Sequence, residues 1–108
     1  MRYLQNLPFT SLAAGASAET TWSPETDVVI KRIMVTERAN GEIRNVHAYM
    51  TVGDTPITKP TVPCRIFGEN KEQALEANIS LIKGQKFYVK LTNSTSGAVN
   101  VDVVLEIE

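Results

Sequence analysis

The last twenty-two residues of the chain form two runs in which apolar and polar side chains alternate. Because successive side chains of a β-strand point to opposite faces, one face of each run is apolar. These apolar positions are Phe87, Val89 and Leu91 in the first run, and Val99, Val101, Val103, Leu105 and Ile107 in the second. The segment STSG at 94–97 separates the runs, which predicts an antiparallel hairpin with one apolar face. A hairpin is not stable alone in water, so the rest of the chain must cover that face.

The length of the chain predicts a single domain over residues 1–108. A domain of this size buries about two thirds of the surface that its unfolded form exposes. Apolar residues make up 43% of the chain and charged residues 21%, which is typical of a globular protein. Residues 1–9 are polar and interrupted by Pro8, which favours an arm or an edge strand. We therefore interpret residues 1–15 as an N-terminal arm and lead-in to the first full strand.

The charges of the chain are nearly balanced. Eleven Lys and Arg stand against twelve Asp and Glu, for a formal net charge of -1. The basic residues are scattered along the sequence, with Lys31 and Arg32 as the single adjacent pair. A dedicated nucleic-acid binder concentrates basic residues in a patch or stripe, so the sequence predicts no nucleic-acid partner.

The chain has one cysteine, Cys64, and one histidine, His47. A lone cysteine cannot form a disulfide within the chain, and one Cys with one His cannot complete a zinc site. We therefore expect no metal and no cofactor, and we interpret Cys64 as a small buried apolar residue. Residues 1–9 contain no continuous apolar run, so we expect neither a secretory signal nor a membrane anchor. Synthesis in the cytoplasm follows from that expectation.

Further strand and turn patterns precede the C-terminal runs. Residues 18–22 are predicted to form the first full strand, which ends at Ser23 and Pro24. Residues 27–36 are apolar on both faces at their start, which favours a strand covered on both sides. Asn40-Gly41 is typical of a type I′ turn, so this strand and residues 43–52 are predicted to form a long hairpin.

The remaining segments complete the expected fold. Residues 64–67 and 79–82 predict short strands, whereas residues 69–77 hold strong helix formers with few apolar positions. We interpret the latter as a short helical turn near 70–77 or a mobile loop. About seven or eight strands, separated by turns at intervals of roughly ten residues, predict an all-β protein. The expected architecture is an antiparallel β-sandwich with jelly-roll or Greek-key connectivity.

The sequence contains no motif that specifies a catalytic chemistry. A Ser nucleophile elbow, an HExxH motif and a phosphate-binding glycine loop are all missing from it. His47 with Asp54 or Glu42 would supply a base and its orienting carboxylate, but a surface or inter-subunit histidine is the simpler interpretation. The polar face of the last strand gathers carboxylates, which we interpret as solvated charges that protect a sheet edge: Asp102, Glu106 and Glu108. We expect no enzymatic activity.

One polar strand face is mixed in character rather than charged, and it carries Asn45, His47, Tyr49 and Thr51. Such a surface is typical of a subunit interface, where aromatic residues are enriched and charges are sparse. We add Tyr88, on another polar strand face, and Tyr3 and Leu4 of the N-terminal arm to the candidate interface. Carbohydrate binding also uses exposed aromatic rings beside hydrogen-bonding groups, for which the candidates are Trp22, Tyr49 and Tyr88. Of these, Trp22 is interpreted as a core residue.

Three segments of the chain resemble a known class of proteins. They are residues 12–24 (LAAGASAETTWSP), residues 28–33 (VVIKRI) and residues 82–93 (IKGQKFYVKLTN). Their pattern resembles small jelly-roll or β-sandwich virion proteins of tailed phages and other prokaryotic viruses. In those proteins a strand ends at a Pro-containing edge, a second lies inside a sheet, and a KGQ-containing strand precedes the final strand pair.

This resemblance implies a structural, non-enzymatic role as a capsid decoration, turret, fibre, tail or minor virion subunit. It implies location in the virion, after synthesis in the host cytoplasm. The expected partners are other copies of the chain, in a homo-oligomer such as a trimer or pentamer, and a major capsid or other virion protein. The alternative is a carbohydrate- or receptor-binding β-sandwich of the adhesin kind, with a glycan as its ligand.

The strand assignment at the C-terminus makes a prediction about two adjacent residues. Val103→Asp should unfold the domain, because a buried unpaired carboxylate costs more than a marginally stable fold can supply. On the same reasoning Asp102→Ala, on the solvated face, should change stability little. Thermal unfolding followed by circular dichroism tests both, and an intact melting transition for Val103→Asp would contradict the strand assignment.

Overall fold

The computed structural model describes residues 3–38, 45–53, 55–57, 62–64 and 75–108. Its strands in these ranges are β1 (Tyr3–Leu12), β2 (Ser17–Trp22), β3 (Val28–Glu37), β4 (Val46–Val52), β5 (Thr55–Pro56), β6 (Val62–Pro63), β7 (Leu75–Leu81), β8 (Phe87–Asn93) and β9 (Val99–Ile107). Within the same ranges there is no helix long and apolar enough to cross a membrane.

The strands form two antiparallel sheets. Sheet A has the strand order β1-β9-β3-β7, and sheet B has the order β2-β8-β4-β5, with β6 also paired to β4. Successive strands along the chain change sheet at almost every step, and only β4, β5 and β6 follow one another in the same sheet. The first strand thus lies beside the last, and the second beside the last but one. This nested order is that of a jelly roll, and it confirms the predicted all-β sandwich.

The space between the sheets is filled by one apolar core. Sheet A contributes Leu7, Phe9, Leu12, Val28, Ile30, Ile33, Val35, Leu81, Val101, Val103, Leu105 and Ile107. Sheet B contributes Val46, Ala48, Met50, Val52, Phe87, Val89 and Leu91, and Cys64 packs with them. The inner faces predicted for the two C-terminal runs are therefore confirmed, except that Val99 is only partly buried.

The expected hairpin between those two runs is wrong. β8 pairs with β2 and β4 in sheet B, whereas β9 pairs with β1 and β3 in sheet A. The segment 94–98 therefore crosses between the sheets, and the apolar faces of β8 and β9 meet across the core. Pairing within one sheet and packing between two sheets bury the same alternate side chains, so the alternation alone does not distinguish them.

Asn93 fixes the point at which the chain crosses between the sheets. Its side chain is fully buried, and Nδ2 donates to the carbonyl oxygens of Leu12 and Gly97, each at 2.9 Å. Its Oδ1 accepts the backbone N–H of Thr95 at 2.9 Å and the Thr95 hydroxyl at 2.6 Å. A buried amide with all of its partners favours a single path of the chain, because a residue without those groups would leave buried polar atoms unpaired.

The second expected hairpin, between residues 27–36 and 43–52, is also wrong. β3 lies in sheet A and β4 in sheet B, and the Asn40-Gly41 turn itself lies outside the described residues. Within β3, the register shifts between Ile30 and Arg32. This bulge moves the alternation by one position, so that Ile30 before it and Ile33 after it both face the core. The bulge explains why the sequence shows apolar residues on both faces of this strand.

The segment 75–77 forms part of a strand where the sequence predicted a helical turn. The predicted helical turn near 70–77 is wrong for residues 75–77, which belong to β7, and residues 70–74 lie outside the described residues. Pairing of β7 with β3 overrides the helix propensity of this segment, since propensity is a weak preference.

For the N-terminal residues the sequence left two alternatives, an arm or an edge strand. The structure shows an edge strand, because β1 pairs with β9 at the edge of sheet A.

The carboxylates of β9 are not the solvated edge charges that the sequence predicted. β9 lies inside sheet A, and Glu106 is only 6% exposed. Arg32 Nη1 on the neighbouring β3 lies 3.0 Å and 3.2 Å from the two oxygens of Glu106. Lys31 Nζ lies 3.4 Å from Glu108 Oε2. Cross-strand ion pairs therefore neutralise much of the outer face of sheet A.

Asp102 takes part in the same arrangement, which changes the expected effect of Asp102→Ala. Nε and Nη2 of Arg38 each donate to a different oxygen of Asp102 at 2.9 Å. These hydrogen bonds lower the pKa of Asp102, with a smaller contribution from the amide of Asn6. We expect Asp102→Ala to reduce the free energy of unfolding at neutral pH by about 1 kcal/mol.

The pH dependence of that loss tests its cause. The folded pKa of Asp102 lies below its unfolded value of about 3.9, so the ion pair stabilises the fold above that pH. As the pH falls through the lowered pKa, the contribution disappears, and wild type and Asp102→Ala should converge in stability. Urea unfolding at several pH values measures this, with the exposed, unpaired Glu25 replaced by Ala as a control. A difference that stayed constant across the acid range would contradict the ion-pair assignment.

Candidate functional site

The outer face of sheet B gathers side chains from β2, β8 and β4 into a regular grid. Each outer residue of β8 has one cross-strand neighbour on β2 and one on β4. Thr92 lies between Ser17 and His47, Lys90 between Glu19 and Tyr49, and Tyr88 between Thr21 and Thr51. Cross-strand neighbours on one face of a sheet are close enough to interact. We name this grid the sheet B face, and its members are Ser17, Glu19, Thr21, His47, Tyr49, Thr51, Tyr88, Lys90 and Thr92.

The structure brings four of the candidate interface residues together on the sheet B face: His47, Tyr49, Thr51 and Tyr88. Asn45 lies at its rim, exposed and immediately before β4, and its carbonyl oxygen accepts the N–H of Ser94 at 2.8 Å. Asn45 has φ 58, a left-handed conformation that Asn adopts more readily than most residues.

The two tyrosines of the sheet B face contact each other edge to face. Their ring centroids lie 6.2 Å apart and the ring planes make an angle of 71°. The hydroxyl of Tyr88 donates to Glu19 Oε2 at 2.5 Å. This hydrogen bond, with a smaller contribution from desolvation, raises the pKa of Tyr88 to about 12. Both rings are therefore held in place before any ligand or partner arrives.

The charges of the sheet B face are few. Glu19 accepts the hydrogen bond from Tyr88, and Lys90 is exposed with no ion-pair partner among the residues that the structure describes. The other members are aromatic, imidazole or hydroxyl side chains, and two of them, Ser17 and Thr92, share a hydrogen bond of 3.0 Å. Aromatic rings with few charges are typical of the buried centre of an interface.

Sequence reasoning did not place Ser17, Glu19 and Thr21 on this face. The signal was present, because polar residues alternate along β2 at these positions. What was missing was the pairing of β2 with β8, which joins residues about seventy positions apart in the chain. Such a pairing leaves no local pattern in the sequence.

The structure places Tyr3 and Leu4 away from the sheet B face. Leu4 lies on the outer face of sheet A, beside Glu106 of β9, and is 64% exposed. Tyr3 points to the opposite side of β1 and is 43% exposed. The candidate interface residues therefore divide between two separate surfaces, one on each sheet.

A cleft of about 330 Å³ opens where the edges of the two sheets meet near the start of β1. Tyr3 and Gln5 of β1 form one wall, and Trp22 at the end of β2 lines it from the other sheet. Segment 23–26 completes the cleft. Trp22 is half-buried and packs partly against the core, so its interpretation as a core residue is correct only in part.

Cys64 is buried and free, as predicted. Burial in apolar surroundings raises the pKa of its thiol to about 12, which leaves the thiol protonated and unreactive at neutral pH. His47 lies half-buried on the sheet B face, while its suggested carboxylate partners, Asp54 and Glu42, fall outside the described residues. In the part of the chain that the structure covers, no three His, Cys, Asp or Glu side chains cluster as metal ligands would.

No protein-family model matches the chain, and no curated protein is similar to it in sequence.

The hydrogen bond from Tyr88 to Glu19 predicts how the pKa of the Tyr88 hydroxyl depends on Glu19. Replacing Glu19 with Gln removes the carboxylate, so the pKa of Tyr88 should fall from about 12 towards the ordinary value for tyrosine of about 10. NMR titration of the tyrosine ring carbons resolves the three tyrosines of the chain. Glu25→Gln is the matched control, because Glu25 has no bond to Tyr88. An unchanged Tyr88 pKa in Glu19→Gln would contradict the assigned hydrogen bond.

Proposed function

We propose that this protein is a structural subunit of a virion, a capsid decoration, turret or minor component that self-associates and binds a shell protein. The observation that carries the proposal is the strand order, because β1-β9-β3-β7 against β2-β8-β4-β5 is the order of a jelly roll. Fold alone does not specify function, so the proposal also relies on the resemblance of residues 12–24, 28–33 and 82–93 to virion proteins.

The two separate surfaces support self-association in a ring. Contacts in a cyclic trimer or pentamer are heterologous, so each subunit needs two different patches that fit each other. Leu4 provides an exposed apolar side chain on sheet A, and Tyr49 and Tyr88 provide an aromatic surface on sheet B. A ring in which Leu4 of one copy packs on the sheet B face of the next would use both.

The charges of the two sheets support the same arrangement. On the outer face of sheet A, the carboxylates Glu106 and Asp102 are already paired with Arg32 and Arg38. A neighbouring copy can therefore cover the region around Leu4 without leaving these groups unpaired, which keeps the desolvation cost low. The sheet B face adds two charges of opposite sign, Glu19 and Lys90, which are direct cross-strand neighbours, and Glu19 also accepts the hydrogen bond from Tyr88.

The oligomeric state tests the proposal. Sedimentation velocity at micromolar concentration should show a homo-oligomer for the wild type. Tyr49→Lys should weaken it by about 2 kcal/mol or more, roughly thirtyfold in the dissociation constant, because it replaces an aromatic contact with a buried charge. Leu4→Lys should do the same from the other side. Ser96→Lys, in the exposed crossing between β8 and β9, is the matched control.

Mixing the two variants distinguishes a ring from a two-fold dimer. In a ring, Tyr49→Lys and Leu4→Lys together retain one intact contact, so the mixture should form a heterodimer and stop there. In a two-fold dimer made by one patch, only one variant would dissociate. A wild type that is monomeric and does not bind a capsid shell protein would refute the proposed function.

The second candidate function is a carbohydrate- or receptor-binding module. The observation that favours it on this face is the half-buried Tyr49–Tyr88 pair beside hydroxyl groups and Lys90. Their edge-to-face geometry presents one ring rather than a flat double platform, which suits a packing contact better than an extended sugar. A glycan array distinguishes the two, since self-association predicts no response that depends on Tyr49.

A further inference from the structure

We propose that the cleft between Tyr3 and Trp22 is a binding site for a single neutral sugar ring. This inference does not depend on the self-association described above, because Tyr3 and Leu4 lie on opposite sides of β1. The cleft, of about 330 Å³, falls within the range of small-ligand sites, which begins at about 300 Å³.

The cleft exists because the sandwich opens at this corner. Along the inward side of β1, Phe9 and Leu7 are buried, Gln5 is half-buried and Tyr3 is exposed. Sheet B places Trp22 on the other side of the gap, where its ring meets both the core and the cleft. Two aromatic side chains thus line one opening from different sheets, while the core closes its inner end.

The polar groups of the cleft are unused by the protein. The indole N–H of Trp22, the hydroxyl of Tyr3 and the carboxylate of Glu25 have no hydrogen-bond partner among the described residues. Gln5 makes one long bond, from Nε2 to the carbonyl oxygen of Asn6 at 3.3 Å. Donors and acceptors that converge on an opening without partners of their own are available to a ligand.

The loop that forms the second wall is held in position. Pro24 is buried, and its carbonyl oxygen accepts the N–H of Gly84 at 3.4 Å. Asp27 Oδ1 accepts the N–H of Lys83 at 2.8 Å. These contacts link segment 23–27 to the turn before β8, so a ligand does not have to order the loop on binding.

The chemistry of the cleft selects the ligand class. A pyranose ring has an apolar face of C–H groups and a rim of hydroxyls, so it fits an aromatic wall flanked by donors and acceptors. Glu25 accepts hydrogen bonds from hydroxyls but repels a phosphate or a carboxylate. No Lys or Arg lines the cleft, which disfavours nucleotides and acidic sugars. The aromatic wall with its flanking donors and acceptors, together with the exclusion of anions, favours a neutral sugar.

Fluorescence gives a direct test, because Trp22 is the only tryptophan of the chain. The whole protein is titrated with glucose, galactose, mannose and N-acetylglucosamine at millimolar concentrations, and the emission of Trp22 is followed. At least one of these sugars should produce a saturable change. Tyr3→Ala and Glu25→Ala should each raise the dissociation constant about tenfold, since each removes one wall or one acceptor.

Ser96→Ala, in the exposed crossing between β8 and β9, serves as the control. It lies outside both the cleft and the sheet B face and should leave sugar binding unchanged. The proposal is overturned if none of the four sugars changes the emission saturably. It is also overturned if Tyr49→Ala abolishes binding while Tyr3→Ala does not, because the sugar would then lie on the sheet B face. Circular dichroism of each variant establishes that it is folded.

Discussion

The packing of β8 against β9 across the core is the contact on which the rest of the structure depends. Both strands lie inside their sheets, so β8 positions β2 and β4 while β9 positions β1 and β3. Seven of their inner side chains are fully buried: Phe87, Val89, Leu91, Val101, Val103, Leu105 and Ile107. Burying apolar surface between two sheets is the main driving force of such a fold. Asn93 stabilises the crossing between these strands, since its buried amide donates to the carbonyl oxygens of Leu12 and Gly97 and so ties the end of β1 to the crossing.

The same architecture gives the two sheets different outer surfaces. On sheet A, basic residues of β3 pair with the carboxylates of β9, so the charges are satisfied within the subunit. On sheet B, the outer positions carry tyrosines, hydroxyl groups and one lysine, Lys90, which has no ion-pair partner in the described part of the chain. A surface whose charges are already paired can be covered at low cost, and an aromatic surface gains from being covered. Together they provide the two patches that a ring of copies requires, and the open corner at Tyr3 and Trp22 leaves a separate place for a small ligand.

Part of the candidate site could be predicted from the sequence. His47, Tyr49 and Thr51 follow one another on a single strand, and the two-residue period of a strand places them on one face. The contribution of Glu19 could not be predicted, because it reaches Tyr88 through a pairing between distant strands. The cleft could not be predicted either. Tyr3 and Trp22 line it together because the edges of two sheets lie side by side, and the sequence around each residue does not indicate that the other is near. The expected solvated ladder was wrong for Asp102 and Glu106 for the related reason that β9 was not recognised as an inner strand, whereas Glu108, just after β9, is exposed.

The sequence by itself determined where most of the strands lie and which side of β4, β8 and β9 faces the core. That information is local, because the alternation of side chains along a strand is set by backbone geometry alone. The tertiary structure alone decided which strands are hydrogen-bonded neighbours and which face each other across the core. In both arrangements the strands bury the same alternate residues, so the apolar pattern of 87–107 is compatible with a hairpin and with a crossing between sheets. The choice rests on contacts between distant parts of the chain, such as the bonds from Asn93 to Leu12 and the packing of β8 on β9.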